Sequence, residues 1–219
     1  MAVKSLIFLL MLSLNLSAHR QIEIRIAEAS HLITQSPKNS NLYLQRGELY
    51  REHNQFILAE GDYQKAYELG VDKYTMLFYK ALLWRERNNL TRAIKLFQQV
   101  VENSTKNTIK LMAYVNLAEI LQAEKKWLIA AKYYQKAIDS GKKHSSILYL
   151  ATAQAYKKAG KGYFDNAIEV LKLAISYNKG VISLYNLAIE IETQRNNLKQ
   201  VDWWKNKLLK IYPNYEKDN

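Results

Sequence analysis

Residues 40–71 read SNLYLQRGELYREHNQFILAEGDYQKAYELGV, and their spacing decides the fold. Tyr43, Gly47 and Tyr50 stand four and three residues apart, which puts a large, a tiny and a large side chain on one helical face. Phe56, Ala59, Tyr63 and Ala66 then repeat the alternation at offsets of three, four and three, predicting a second helix after a short polar joint. The same pattern recurs down the chain. The small column continues as Gly47, Ala81, Ala118, Ala153 and Ala188, preceded four residues earlier by Tyr43, Leu77, Tyr114, Tyr149 and Leu184. Three residues after each small one comes Tyr50, Trp84, Leu121, Tyr156 or Ile191.

The second-helix columns read Phe56, Leu90, Trp127, Phe164, Leu198, then Ala59, Ala93, Ala130, Ala167, Val201, then Ala66, Val100, Ala137, Ala174, Leu208. Tyr63, Phe97, Tyr134 and Leu171 complete that face. Tiny residues let antiparallel helices approach closely, and the bulky ones fill the remaining space. A single hairpin cannot bury its own apolar face, so neighbouring hairpins must stack and share a core. The sequence therefore predicts an all-α protein of about five stacked, antiparallel helix pairs. With only 7 Gly and 2 Pro, the chain has too few turn-formers for an all-β fold.

With Tyr43, Gly47, Tyr50, Ala59, Tyr63 and Ala66, residues 40–71 resemble the tetratricopeptide repeat, a unit of about 34 residues. The resemblance extends over units 40–73, 74–110, 111–145, 146–180 and 181–213, and implies a right-handed superhelical α-solenoid. The family's closing proline is absent at the internal boundaries, where Val71, Thr105, Lys142 and Lys179 stand; Gly70 and Gly141 are expected to end their helices in a left-handed cap instead. Gly160-Lys161-Gly162 is expected to lengthen the turn of the fourth unit, and Lys205 replaces the aromatic of the fifth beside Trp203-Trp204.

Outside the repeats, Ile22, Ile26, Ala29 and Ile33 predict an amphipathic helix within the 19–39 segment that caps the first unit. Residues 1–18 follow the order of a secretory signal peptide: Lys4, an apolar run to Leu16, and Ala18 as the expected cleavage point. Export to the periplasm or the cell exterior is the resulting expectation, and retention of residues 5–18 as a membrane anchor is the alternative. Residues 214–219 form a polar tail.

Composition narrows the chemistry. No cysteine is present, which removes disulfides, thiolate metal sites, a thiol nucleophile and a lipoprotein anchor. His19, His31, His53 and His144 are never three to five residues apart, so no helical metal pair forms. Phosphate loops, nucleophile elbows and zinc-protease motifs are missing as well. The expectation is a protein without enzymatic activity, metal or cofactor. The 32 Lys and Arg outnumber 20 Asp and Glu, for a net charge of +12 that attracts anionic partners without choosing among them.

The resemblance implies that the first helix of each pair lines a concave groove, where an extended or helical segment of a protein partner binds. Candidate apolar wall residues are Leu44, Phe78, Leu82, Val115, Leu150 and Tyr185. Asn116 and Asn186 match the family's asparagine, whose amide both donates and accepts, with Gln45 and Tyr79 at equivalent positions and Glu119 nearby. Arg51, Arg85 and Lys157, four residues after their small residue, are candidates for holding an acidic or carboxylate-bearing segment. The family's five-residue carboxylate clamp is not reproduced, because Leu44 and Glu48 occupy positions where Lys and Asn would be expected. A basic surface binding anionic glycan, lipid or nucleic acid is the remaining alternative, though no nucleic acid is expected for an exported chain.

Overall fold

The computed structural model describes residues 20–141, 145–213 and 215; the signal-peptide expectation for 1–18 lies outside them, as does the tail apart from Tyr215. All described regular structure is helical. Helix α1 spans 20–35, followed by α2 (Ser40–Glu52), α3 (Phe56–Glu68), α4 (Lys73–Glu86) and α5 (Leu90–Asn103) in a first compact unit. The second unit, from Ser104 onward, holds α6 (Asn107–Ala123), α7 (Trp127–Asp139), α8 (Ser146–Ala159), α9 (Phe164–Tyr177), α10 (Ile182–Gln194) and α11 (Leu198–Ile211). Within each unit every helix packs on its sequence neighbour, producing the stacked antiparallel pairs of an α-solenoid.

Polar side chains start several of these helices, among them α2, α4 and α8. Asn39 accepts from the Asn41 amide at α2, and Ser145 from the Leu148 amide at α8. Asp72 takes both the Tyr74 and Thr75 amides, at 3.1 and 3.0 Å, and the Thr75 hydroxyl as well. The ends share one device that the sequence did not announce. Asn54, Asn88, Lys125 and Asn196 adopt φ of 57–60°, and the next residue's amide bonds back to the carbonyl of Tyr50, Trp84, Leu121 or Glu192. That is the Schellman pattern, here closed by asparagine or lysine in place of glycine. Gly70 and Gly141 do adopt left-handed conformations, at φ +102° and +137°. Gly160, at φ +118°, leads into a single 3-10 turn, Lys161–Tyr163, which lengthens the fourth joint.

The small columns lie at the centre. Ala59, Ala66, Ala81 and Ala93 of the first unit and Ala118, Ala130, Ala137, Ala153, Ala167, Ala174 and Ala188 of the second have no exposed surface. Tyr63, Phe97, Tyr134 and Leu171 are likewise buried. Three features of the predicted pattern shift. Tyr50, Trp84, Leu121 and Tyr156 are only half-buried, because the face they share turns partly to solvent. Leu198, at the first turn of α11, is exposed, and the interior of that helix is filled by Val201, Trp204 and Leu208. Trp204 takes the central place that Lys205 leaves empty.

The fifth pair also runs one residue out of register. Tyr43 donates its hydroxyl to the carbonyl of Pro37, and Tyr185, not Leu184, makes the matching bond to the carbonyl of Lys179. Asn196 accordingly follows Ala188 by eight residues, whereas Asn54, Asn88 and Lys125 follow their small residue by seven. Helix α1 buries Ala29 and Ile33, and Ile33 packs with Tyr43 and Ala66, so the segment closes the open end of the first unit.

Candidate partner-binding surface

In the first unit, α1, α2 and α4 enclose a surface pocket of about 640 Å³. Leu44, Gln45 and Tyr79, three of the residues expected in a groove, line it. Leu32 and Ala29 of α1 and Leu49 of α2 extend the apolar floor, while Arg25, Glu28, Glu48 and Glu52 set a rim with more carboxylates than cations. The α1 residues were missed in the sequence reading. Their signal was present: burying Ile22, Ile26, Ala29 and Ile33 leaves Arg25, Glu28 and Leu32 on the adjoining face.

Several predicted site residues sit elsewhere. Phe78 is 1% exposed and packs 5.6 Å from Tyr79 and 5.8 Å from Phe97, ring centre to ring centre, so it is core and not wall. Tyr185 is buried for the reason of register given above and packs on Trp204. Asn116 is buried too, its amide donating to the Met112 carbonyl at 2.9 Å, one turn back on its own helix. Leu82, Arg85, Val115, Glu119 and Leu150 are half-buried.

The cations expected to hold an acidic segment are partly engaged within the protein. Arg51 grips both oxygens of Glu48, at 3.0 and 2.9 Å, and its remaining nitrogen meets Glu86 of α4. The Tyr63 hydroxyl donates to Glu48 at 2.5 Å, with the Gly47 carbonyl 3.2 Å from the same oxygen. One guanidinium thus ties α2 to α4, and Glu48 ties both to α3. Burial by itself would lower the Arg51 pKa, but the bond and charge of Glu48, with Glu86, more than offset it and hold the guanidinium protonated. Burial raises the Tyr63 pKa well above the usual phenol range, and the Glu48 carboxylate adds to it. Burial also raises the Glu86 pKa, with Arg51 opposing. In the second unit the Lys157 ammonium lies 2.5 Å from Glu190 of α10.

A residue that drew no attention in the sequence, Arg46, does similar structural service. It makes two bonds to the buried Asp62 of α3, at 2.8 and 2.7 Å, and a third to the Ser30 hydroxyl of α1.

Asn186 is exposed and accepts from the Tyr215 hydroxyl at 2.9 Å. Both border a second pocket, of about 390 Å³, with Ile189, Glu190, Lys205, Leu208 and Leu209. Lys157 borders a third, of about 300 Å³, with Gln122, Trp127, Gln154, Ala155 and Lys158. Among the described residues no cluster of histidine and carboxylate groups has the makeup of a metal site, and no helix is long and apolar enough to cross a membrane.

The tetratricopeptide repeat family model matches residues 44–108. Comparison with curated protein sequences returns no match. Among solved structures, the C-terminal part of a TPR repeat-containing protein from Cytophaga hutchinsonii is 16% identical, with a TM-score of 0.66 over 87% of this chain and 74% of that one. YrrB, described as a TPR protein with an unusual peptide-binding site, is 15% identical, with a TM-score of 0.59 over 86% of this chain and 94% of its own. PilF of Pseudomonas aeruginosa is 15% identical, with a TM-score of 0.60 over 93% and 90%. No enzyme family is indicated by these matches. Residues 44–108 thus match tetratricopeptide repeat sequence, and the chain shares the fold of tetratricopeptide-repeat proteins.

Proposed function

We propose that the protein is a non-enzymatic scaffold whose first helices hold an extended or helical segment of a partner protein. The observation that carries this reading is the pocket of about 640 Å³ among α1, α2 and α4, where Leu32, Leu44, Leu49 and Tyr79 offer apolar contact and Gln45 offers both donor and acceptor. The recess is open to solvent and presents polar groups beside its apolar ones, so it is available to a second chain. Attraction of an acidic segment is not part of this reading at Arg51 or Lys157, since each already faces a carboxylate of its own chain. Glu28 on the rim suits an apolar segment with a flanking cation, since Glu48 is already held by Arg51 and Glu52 lies 3.8 Å from Arg25.

Export through a cleaved segment 1–18 remains part of the proposal, on the strength of its charge and apolar order. N-terminal sequencing of the protein from its own cells tests it: a chain that starts at His19 supports export with cleavage, and a retained Met1 or Ala2 supports the tethered alternative. The groove is tested with a photo-crosslinking amino acid placed at Gln45 or, as a control, at Ile57, which is 85% exposed on α3. The expected result is a discrete protein adduct from Gln45 and none from Ile57. Adducts from Ile57 alone would defeat the reading.

A further inference from the structure

The positive charge is unevenly placed. Residues 104–219 carry 19 Lys and Arg against 10 Asp and Glu, whereas residues 20–103 carry 12 against 10. Helix α11 concentrates it: Lys199, Lys205, Lys207 and Lys210 are all exposed, against the single carboxylate of Asp202. Among the described residues none of these four ammonium groups is drawn into an ion pair. Lys199, Trp203 and Lys207 follow at intervals of four and Lys210 lies beside them, so they form one ridge on the face opposite buried Val201, Trp204 and Leu208.

Apolar groups accompany the lysines. Leu198 is 64% exposed, Trp203 41% and Ile211 39%, at the start, middle and end of the same helix. These end residues lie about 20 Å apart along the axis. Of the three, Trp203 lies within the lysine ridge itself, and an exposed tryptophan set among lysines suits the boundary of a bilayer, where Trp rests at headgroup level and lysine stems reach anionic phosphates. The ring geometry disfavours stacking on a nucleic-acid base: the Lys207 ammonium sits 4.0 Å from the Trp203 ring centre, and Trp204 packs against the same ring at 4.6 Å and 81°.

We infer that the exposed face of α11 docks on an anionic lipid surface, through Lys199, Trp203, Lys207 and Lys210. The pocket of the proposed groove is lined by α1, α2 and α4 and not by α11, so a groove-bound partner and a membrane would be held by different helices.

The test is co-sedimentation of the full chain with phosphatidylcholine vesicles, with and without about one-third phosphatidylglycerol. The expected result is about tenfold stronger partitioning into the anionic vesicles, abolished by high salt. Lys199→Glu/Lys207→Glu/Lys210→Glu should reduce partitioning to the level of the neutral vesicles, and Trp203→Ala should weaken it at least threefold. A control triple reversal, Lys132→Glu/Lys158→Glu/Lys172→Glu, makes the same net change on exposed residues of α7, α8 and α9 and should retain most of the binding. Circular dichroism confirms that each variant is folded. Equal partitioning into both vesicle types, or equal loss in the two triple variants, would overturn the assignment. So would α11-dependent binding of a single-stranded oligonucleotide without vesicle binding.

Discussion

Replacing Gly47 with alanine tests whether the small column is set by close packing or by helix preference. Preference alone makes Gly47→Ala stabilising by about 1 kcal/mol. The structure predicts the opposite sign. A methyl group at residue 47 would lie 2.6 Å from Cε1 and 2.8 Å from Cδ1 of Tyr63, where ordinary contact begins at 3.4 Å. The Tyr63 ring would have to retreat by roughly 1 Å in a fully packed site, a change of the kind that costs about 1–3 kcal/mol. It would also strain the hydroxyl bond to Glu48, worth about 1.5–3 kcal/mol for a charged acceptor, and the stacking on Tyr79 at 5.3 Å. After subtracting the gain in helix preference, the expected net loss is about 2–4 kcal/mol. Urea unfolding followed by far-UV circular dichroism measures it. Pairing the change with Tyr63→Leu copies the Ala153 and Leu171 combination of the fourth pair, and the two losses should fall short of additivity by at least about 1 kcal/mol. A stabilised Gly47→Ala protein, or strict additivity, would refute close packing as the reason for glycine here.

Three further outcomes follow from the same geometry. Burial and Glu48 raise the Tyr63 pKa, so the unfolded chain releases this proton first, near the ordinary phenol value of about 10, while the folded chain keeps it. The folded state then binds more protons above that pH, and stability falls by up to about 1.4 kcal/mol per pH unit from this group; Tyr63→Phe should flatten the slope of unfolding free energy, measured by urea titration, against alkaline pH by that amount. Asp72→Ala removes a cap that accepts two amides at the start of α4 and should cost about 1–2 kcal/mol, while Asp72→Asn should cost much less, in thermal melts. Phe97→Ala should cost about 3–5 kcal/mol because the ring is wholly buried, and Tyr50→Ala clearly less because its ring is half-buried; equal losses in denaturant unfolding would contradict the burial difference.

The sequence by itself determined the helical hairpins and their stacking. Gly47, Ala81, Ala118, Ala153 and Ala188 each stand four residues after one bulky residue and three before another, offsets that fit a helical face and not a strand, and each small residue lets a second helix come close. Helix α1 was legible for the same reason, as its apolar residues keep to one face. What only the tertiary structure decided concerns contacts between residues far apart in the chain. Arg51 and Glu86 are 35 residues apart, and Lys157 and Glu190 are 33 apart; no local pattern reveals that the pairs meet, so exposed-looking cations proved to be ties between neighbouring helices. Phe78 and Tyr185 could be placed in the core only once the pitch of α4 against α5 and the one-residue slip of α10 were fixed. A helical period tells which residues share a face, but burial depends on how far the neighbouring helix rotates and slides. That rotation and slide are set by the sum of many side-chain contacts, which no single stretch of sequence contains.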